Sequence, residues 1–412
     1  MTILATARTP AHAIGQDGIS DRDKYAGDQR LQVQKIRQIN NNLVEAIPPL
    51  AGTQEDAFRD ALRNGTRPGA PNFQALQDGL RWEIYKATDP AYKTNQPGFQ
   101  ALNKRLRQNI LYIAGQGIGG RREKEEFREL VCSQALVFLK DLLSNNFLAR
   151  SLAIELMPAL ETNTDARQRR ILDAAADALI EVLADEQQPD AIKLRAAESI
   201  ALYLENVDPG AQIEIRFALA IQEELKSSLP ADAYQLHLIE ALSRIRAARE
   251  VIGVNQRAVV LDSLVAALQD ADRAPVVRCS AAGALGSAGI DQRIALEPLA
   301  WKVAQLSAQM GAAYNKKPKY DFWGKCSLEL FLAFHHKEEP PRGEQPEDGM
   351  LNRAARSELV RNAYAHVLPI CREILDSPSS IDAAIINAAA SWTEQNQPSD
   401  LRYDAESPPV KP

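Results

Sequence analysis

Between Gly311 and Lys325 the chain reads GAAYNKKPKYDFWGK, and this is its most functional-looking surface stretch. Lys316, Lys317, Lys319 and Lys325 interleave with Tyr314, Tyr320, Phe322 and Trp323. Such a mixture recognises rather than transforms. Rings supply rigid contact area at low entropic cost, and lysines supply positive potential. An acidic protein surface fits that combination, and so does single-stranded nucleic acid stacked on the rings. A plainer reading has Phe322 and Trp323 anchoring the loop in a helical core, since aromatic residues at helix starts pack inward. Both readings stand at this point, and the candidate partner-binding residues are Lys316, Lys317, Lys319, Tyr320 and Trp323.

Other chemical constellations are weaker. Gly115, Gly117 and Gly120 satisfy G-x-G-x-x-G. A dinucleotide site needs that turn between a parallel strand and an apolar helix start. Here a helical pattern precedes it and Arg121-Arg122-Glu123-Lys124-Glu125-Glu126 follows, so a joint between two helical regions is the expectation. His335-His336 lies close behind Cys326, with Asp321 and Glu338 nearby. Adjacent histidines on a helix point about 100° apart, which disfavours one shared ion. His237 stands alone in a helical pattern and reads as packed or surface. No G-x-S-x-G, H-E-x-x-H or phosphate-binding loop occurs. No catalytic, cofactor-binding or metal-binding residue is assigned, and no cofactor is expected.

These residues need elements to hold them. The chain has 412 residues, 45% hydrophobic and 25% charged, which fits a folded protein with a large apolar interior. A net charge of −6 argues against broad nucleic-acid binding, which needs a positive field to release counterions. Cys132, Cys279, Cys326 and Cys371 form no C-x-x-C pair and sit in helical patterns, so buried free thiols in a reducing compartment are expected. No run of 18 apolar residues predicts a membrane span, and the first residues lack a basic and apolar leader. A cytoplasmic location follows as an expectation.

The middle of the chain repeats. From Asn255 it reads NQRAVVLDSLVAALQDADRAPVVRCSAAGALGSAG. Val259, Leu261, Leu264, Val265 and Leu268 recur at helical spacing, Asp270 and Asp272 are candidate caps, and Pro275 suits a first helical turn. Residues 170–204 give the same helix–turn–helix, with Arg195 at the place of Arg278 and Ala201-Leu202 at that of Ala284-Leu285. Looser copies lie at 124–160 and 211–250. The small–large slots Leu156, Ala201, Ala241 and Ala284 are spaced by 45, 40 and 43 residues. The run D-x-D…P-V-V-R-x-x-A-A-x-A-L-G resembles the HEAT repeat, and is similar to the HEAT-like repeats of the phycobilisome lyase group. Gln235 replaces the arginine in the third unit, and the signature glycine is present only in the last. The resemblance implies an all-α superhelix, a HEAT-like α-solenoid of the armadillo type, in which stacked hairpins bury one another's stripes. It also implies that Arg195 and Arg278 brace neighbouring turns. HEAT-repeat iron hydroxylases carry His-Glu pairs, and no His-Glu dipeptide occurs here.

A second, smaller repeat precedes it. The skeleton P-x-F-Q-A-L-x-x-x-L-R-x-x-I begins at Pro71 and again at Pro97. Phe73, Leu76, Leu80 and Ile84 share one helical face, as do Phe99, Leu102, Leu106 and Ile110. The predicted organisation is a flexible arm over 1–28 and an N-terminal helical region over 29–120, with helices at 29–46 and 53–63, the latter started by Thr53. The repeat solenoid spans 121–311. Helical hairpins with inserted loops cover 312–395, and a disordered tail covers 396–412. Within the hairpins, a loop is expected at 337–350, a helix interrupted near Pro369, and a last helix capped by Ser379 or Ser380. The function this predicts is a non-catalytic scaffold for protein–protein interaction. A nucleic-acid-associated protein working through residues 314–325 is the alternative, with a repeat-family lyase or modifying enzyme behind it.

Overall fold

A computed structural model describes residues 41–165, 169–226, 231–245, 258–288, 293–335, 349–376 and 380–412. These belong to one compact unit, 38–412. The 1–28 arm, most of the 29–46 helix, the 337–348 loop, His336, Glu338 and Ser379 lie outside the described residues.

The described residues are overwhelmingly helical. In chain order the helices are α1 (Gly52–Asn64), α2 (Pro71–Tyr85), α3 (Gln96–Lys104), α4 (Arg121–Leu142), α5 (Phe147–Leu156), α6 (Asp173–Ala184), α7 (Asp190–Asn206) and α8 (Ala211–Lys226). There follow α9 (Asp232–Ser243), α10 (Val259–Gln269), α11 (Pro275–Ser287), α12 (Glu297–Lys316), α13 (Trp323–Leu332), α14 (Met350–Arg353), α15 (Glu358–Asp376) and α16 (Ala383–Gln395). The sheet found is one short antiparallel pair, β1 (Glu161–Asn163) with β2 (Arg170–Ile171). All-α is therefore the fold class.

The period of 40–45 residues corresponds to hairpins that pack on their neighbours. One file of helices runs α5–α7–α9–α11–α13–α15, each against the next. A second file, α4–α6–α8–α10, runs beside it. Small residues let the first file close up. Ala201, Ala241 and Ala284 are all buried. A close backbone approach falls two residues past Ala284, at Gly286, where a Cβ would sit 2.4 Å from the Leu332 carbonyl oxygen of α13. Only glycine fits that backbone-on-backbone contact.

Several local expectations are corrected. Asp270 and Asp272 do not cap α11; Asp270 Oδ1 instead accepts from the Asp272 N–H at 3.1 Å, and its other oxygen pairs with Arg273 at 3.1 Å. Pro275 does open the helix. Helix α1 starts at Gly52 rather than on a Thr53 cap, and Gln54 accepts from the Ala51 N–H at 3.2 Å. Pro369 does not interrupt α15. One backbone hydrogen bond is lost there, but Val360, Val367, Ile370 and Ile374 hold the helix through burial against α12 and α13. Asp382, not a serine, caps α16, accepting from the Ala384 N–H at 2.8 Å.

Residues 396–412 are packed rather than a disordered tail. Tyr403 and Val410 are buried, and the Tyr403 hydroxyl meets Asp262 of α10. The Ala295 N–H donates to the Tyr403 carbonyl at 2.9 Å, and Gln269 Nε2 donates to the Lys411 carbonyl at 3.3 Å. Two apolar anchors in a polar segment were enough to dock it.

Arginines tie consecutive units together. Arg278 donates to the Leu268 carbonyl at the end of α10 (2.9 Å) and to Gln309 of α12 (2.8 Å). Arg273 reaches back to the Leu225 carbonyl at 2.6 Å, and Arg150 joins Gln188 of the following unit at 3.2 Å. Arg195 pairs within its own helix, with Glu198 at 2.7 Å.

Candidate partner-binding surface

Helix α12 carries the basic–aromatic stretch further than its sequence suggests. Tyr314, Asn315 and Lys316 are its last turn, so the connection to α13 is only residues 317–322. The Lys317 N–H closes the helix on the Ala313 and Tyr314 carbonyls at 3.0 and 3.1 Å. Pro318, which lacks an N–H, then keeps the chain from continuing as helix. Trp323 opens α13.

Two rings in this stretch, Tyr314 and Trp323, are buried, and Tyr320 and Phe322 are half-buried. Trp323 is 5% exposed, and its indole N–H donates to the Lys317 carbonyl at 2.8 Å. Its ring meets Tyr314 and Tyr320 edge-on, with centroids 5.6 and 5.4 Å apart. Phe322 lies 5.4 Å from Tyr320. Trp323 thus pins the start and end of the connection together. Lys316, Lys317, Lys319 and Lys325 are exposed. Among the described residues none of the four forms an ion pair with a carboxylate. Lys317 leans over the half-buried Tyr320 ring, 5.9 Å from its centroid. Of the five candidates, four therefore share an accessible surface, and Trp323 lies beneath it.

Asn315 was not singled out in the sequence. Its side chain donates to the Ile381 carbonyl at 2.9 Å and accepts from the Ile381 N–H at 2.7 Å, which clamps the chain entering α16 beside the lysines. A lone asparagine at a helix end gives no signal of a partner 66 residues away.

The other constellations separate. Cys326 is buried near Cys279, whereas His335 stacks on Phe331 with centroids 4.2 Å apart and meets Tyr364 at 4.9 Å. Among the described residues no group of three or more His, Cys, Asp or Glu side chains is arranged to hold a metal ion. All four cysteines are free and buried, and burial pushes the Cys132 and Cys371 thiols up to about 12. His237 sits between Glu198 (3.4 Å) and Glu240 (3.5 Å) on neighbouring helices of one file. Gly115, at φ +72°, and Gly117 form a turn after a helix, not after a strand. Their N–H groups donate to the Leu62 and Arg63 carbonyls at 2.8 and 2.9 Å, which fastens the end of α1.

No described helix is long and apolar enough to cross a membrane. Comparison of the chain with protein-family models, curated proteins and solved structures finds no match.

Proposed function

We propose that this chain is a non-catalytic interaction scaffold, a HEAT-like α-solenoid whose lysine surface at 316–325 captures an acidic protein partner. The observation that carries the reading is the set of four exposed lysines without carboxylate partners, held over a buried aromatic anchor in a chain of net charge −6. A local positive field on a negative molecule steers an acidic surface to one place. The burial of Tyr314 and Trp323 favours a protein partner over single-stranded nucleic acid, because base stacking needs open ring faces. The repeat period and the two helix files support the solenoid reading.

The test is capture of partners from a matched extract by the parent and by a Lys316→Glu, Lys317→Glu, Lys319→Glu variant. Surface changes of this kind cost within about 0.5 kcal/mol each, so the variant should stay folded. Loss of the captured protein is expected. Unchanged capture by the folded variant would remove this surface from the proposal. Trp323→Ala should lower stability by about 3–5 kcal/mol, as a buried anchor does.

A further inference from the structure

A cleft of about 340 Å³ opens between α1 and residues 105–116, at the low end of the roughly 300–1,000 Å³ typical of small-molecule sites. Its apolar lining is Phe58 and Leu62 of α1 and Ile110 and Ile113 opposite. Arg59, Arg63 and Arg105 line it, against one acid, Glu55. The lining therefore carries a net positive charge of two in a chain of net −6.

Two of these arginines are engaged. Arg59 pairs with Glu55 at 2.6 Å, and Arg105 with Glu83 at 2.6 Å. Arg63 forms no ion pair among the described residues. Its place in the last turn of α1 suggests a capping role, since cations favour helix C-termini. That role is already filled by backbone. The Ala61, Leu62 and Arg63 carbonyls accept from the N–H groups of Gly65, Gly115 and Gly117. The opposite wall is also unusual. Residues Arg105–Leu111 form a π-helical stretch, closed by the Tyr112 N–H on the Arg107 carbonyl at 3.0 Å. Wide turns of this kind frequently mark functional sites. This one sets Arg105, Asn109 and Ile110 along the cleft.

We propose that this cleft binds a small organic carboxylate, with the charged end on Arg63 and a short apolar body on the Phe58–Ile110 lining. The apolar lining distinguishes this ligand from a bare inorganic anion, and the guanidinium groups distinguish it from a neutral alcohol. The site is independent of the lysine surface at 316–325.

Hexanoate is the probe, titrated into the full chain by calorimetry and protein-observed NMR, with hexanol and inorganic phosphate as comparators. Hexanoate should bind at least about tenfold more tightly than either, and Arg63→Met should weaken it by about tenfold, the worth of one charge-assisted hydrogen bond. Arg63 is exposed, so unchanged circular dichroism is expected in that variant. Asn109→Trp, also exposed and facing the cleft, should abolish binding by filling it. The proposal is overturned by no hexanoate response at about 10 mM, by equal affinity for phosphate, or by undiminished binding in folded Arg63→Met.

Discussion

Residues 71–85 and 97–111 carry the same skeleton and end as different structures. In both, the apolar positions do the same work: Leu76, Leu80 and Ile84 are buried, and so are Leu102, Leu106 and Ile110. The first copy is one regular helix, α2. The second is α for nine residues and then widens into a π-helical stretch that contains neither proline nor glycine. Tertiary bonds accompany the widening. Arg107 is held by Asn103 at 2.9 Å and by the Glu155 carbonyl of α5. The positions between the apolar ones set the neighbours. Gly79 leaves room for the Phe58 ring where α1 packs on α2, and the equivalent position in the second copy is Arg105. There Arg105 lines the cleft that faces α1. The copies also bond to one another, since Glu83 of the first accepts from Arg105 of the second. Apolar spacing sets which face is buried; the residues between decide how closely anything approaches it.

Moving residues of the second copy into the first tests this directly. Gly79→Arg should be the most damaging exchange. Even a Cβ at 79 would lie 2.2 Å from the Phe58 ring, so overpacking should cost about 3 kcal/mol or more. Urea denaturation would measure it, and an unchanged midpoint would mean that α1 does not rest on Gly79. Glu83→Asn should cost less, roughly 1.5–3 kcal/mol, because a charge-assisted bond to Arg105 and one to Lys86 are lost at a buried carboxylate. Calorimetry should show a lowered Tm with no loss of helix; a neutral result would make the contact between copies incidental.

Tyr85→Leu should be the mildest. It removes a hydroxyl bonded to Asp141 and an edge-on contact with Phe138 at 5.8 Å, worth about 1 kcal/mol. Its pH dependence is more telling. Burial first, then Asp141, raises the Tyr85 pKa above its ordinary 10.0. A phenol whose folded pKa is raised contributes stability that is complete below about pH 10 and is lost as pH rises toward the folded value. Thermal melts of parent and variant should therefore converge above pH 10. A gap that stays constant with pH would remove the Tyr85–Asp141 bond from the account.

Much of the fold was legible in the residues. The repeat slots, the Pro275 helix start and the buried cysteines all follow from periodicity and residue type. The lysine surface was legible as a cluster, and its aromatic half was legible only as a choice. Trp323 is in the core because Tyr314, a full connection earlier, supplies a wall for its ring. The packing of the C-terminal segment is not legible in its polar, proline-rich composition, because Tyr403 finds its partner at Asp262, 141 residues away.

Short-range physics was thus available from the chain alone. Helical periodicity, the missing N–H of proline and the burial of apolar stripes act within a few residues, and they suffice for an all-α chain, its hairpin period and the exposed lysines at 316–325. The remaining features depend on the tertiary structure, where distant surfaces meet. It put Trp323 under the lysines, bound residues 396–412 to α10, widened 105–111 into a π-helical stretch and opened the arginine-lined cleft. Each outcome balances one close approach against another, and neither partner's local sequence records the other.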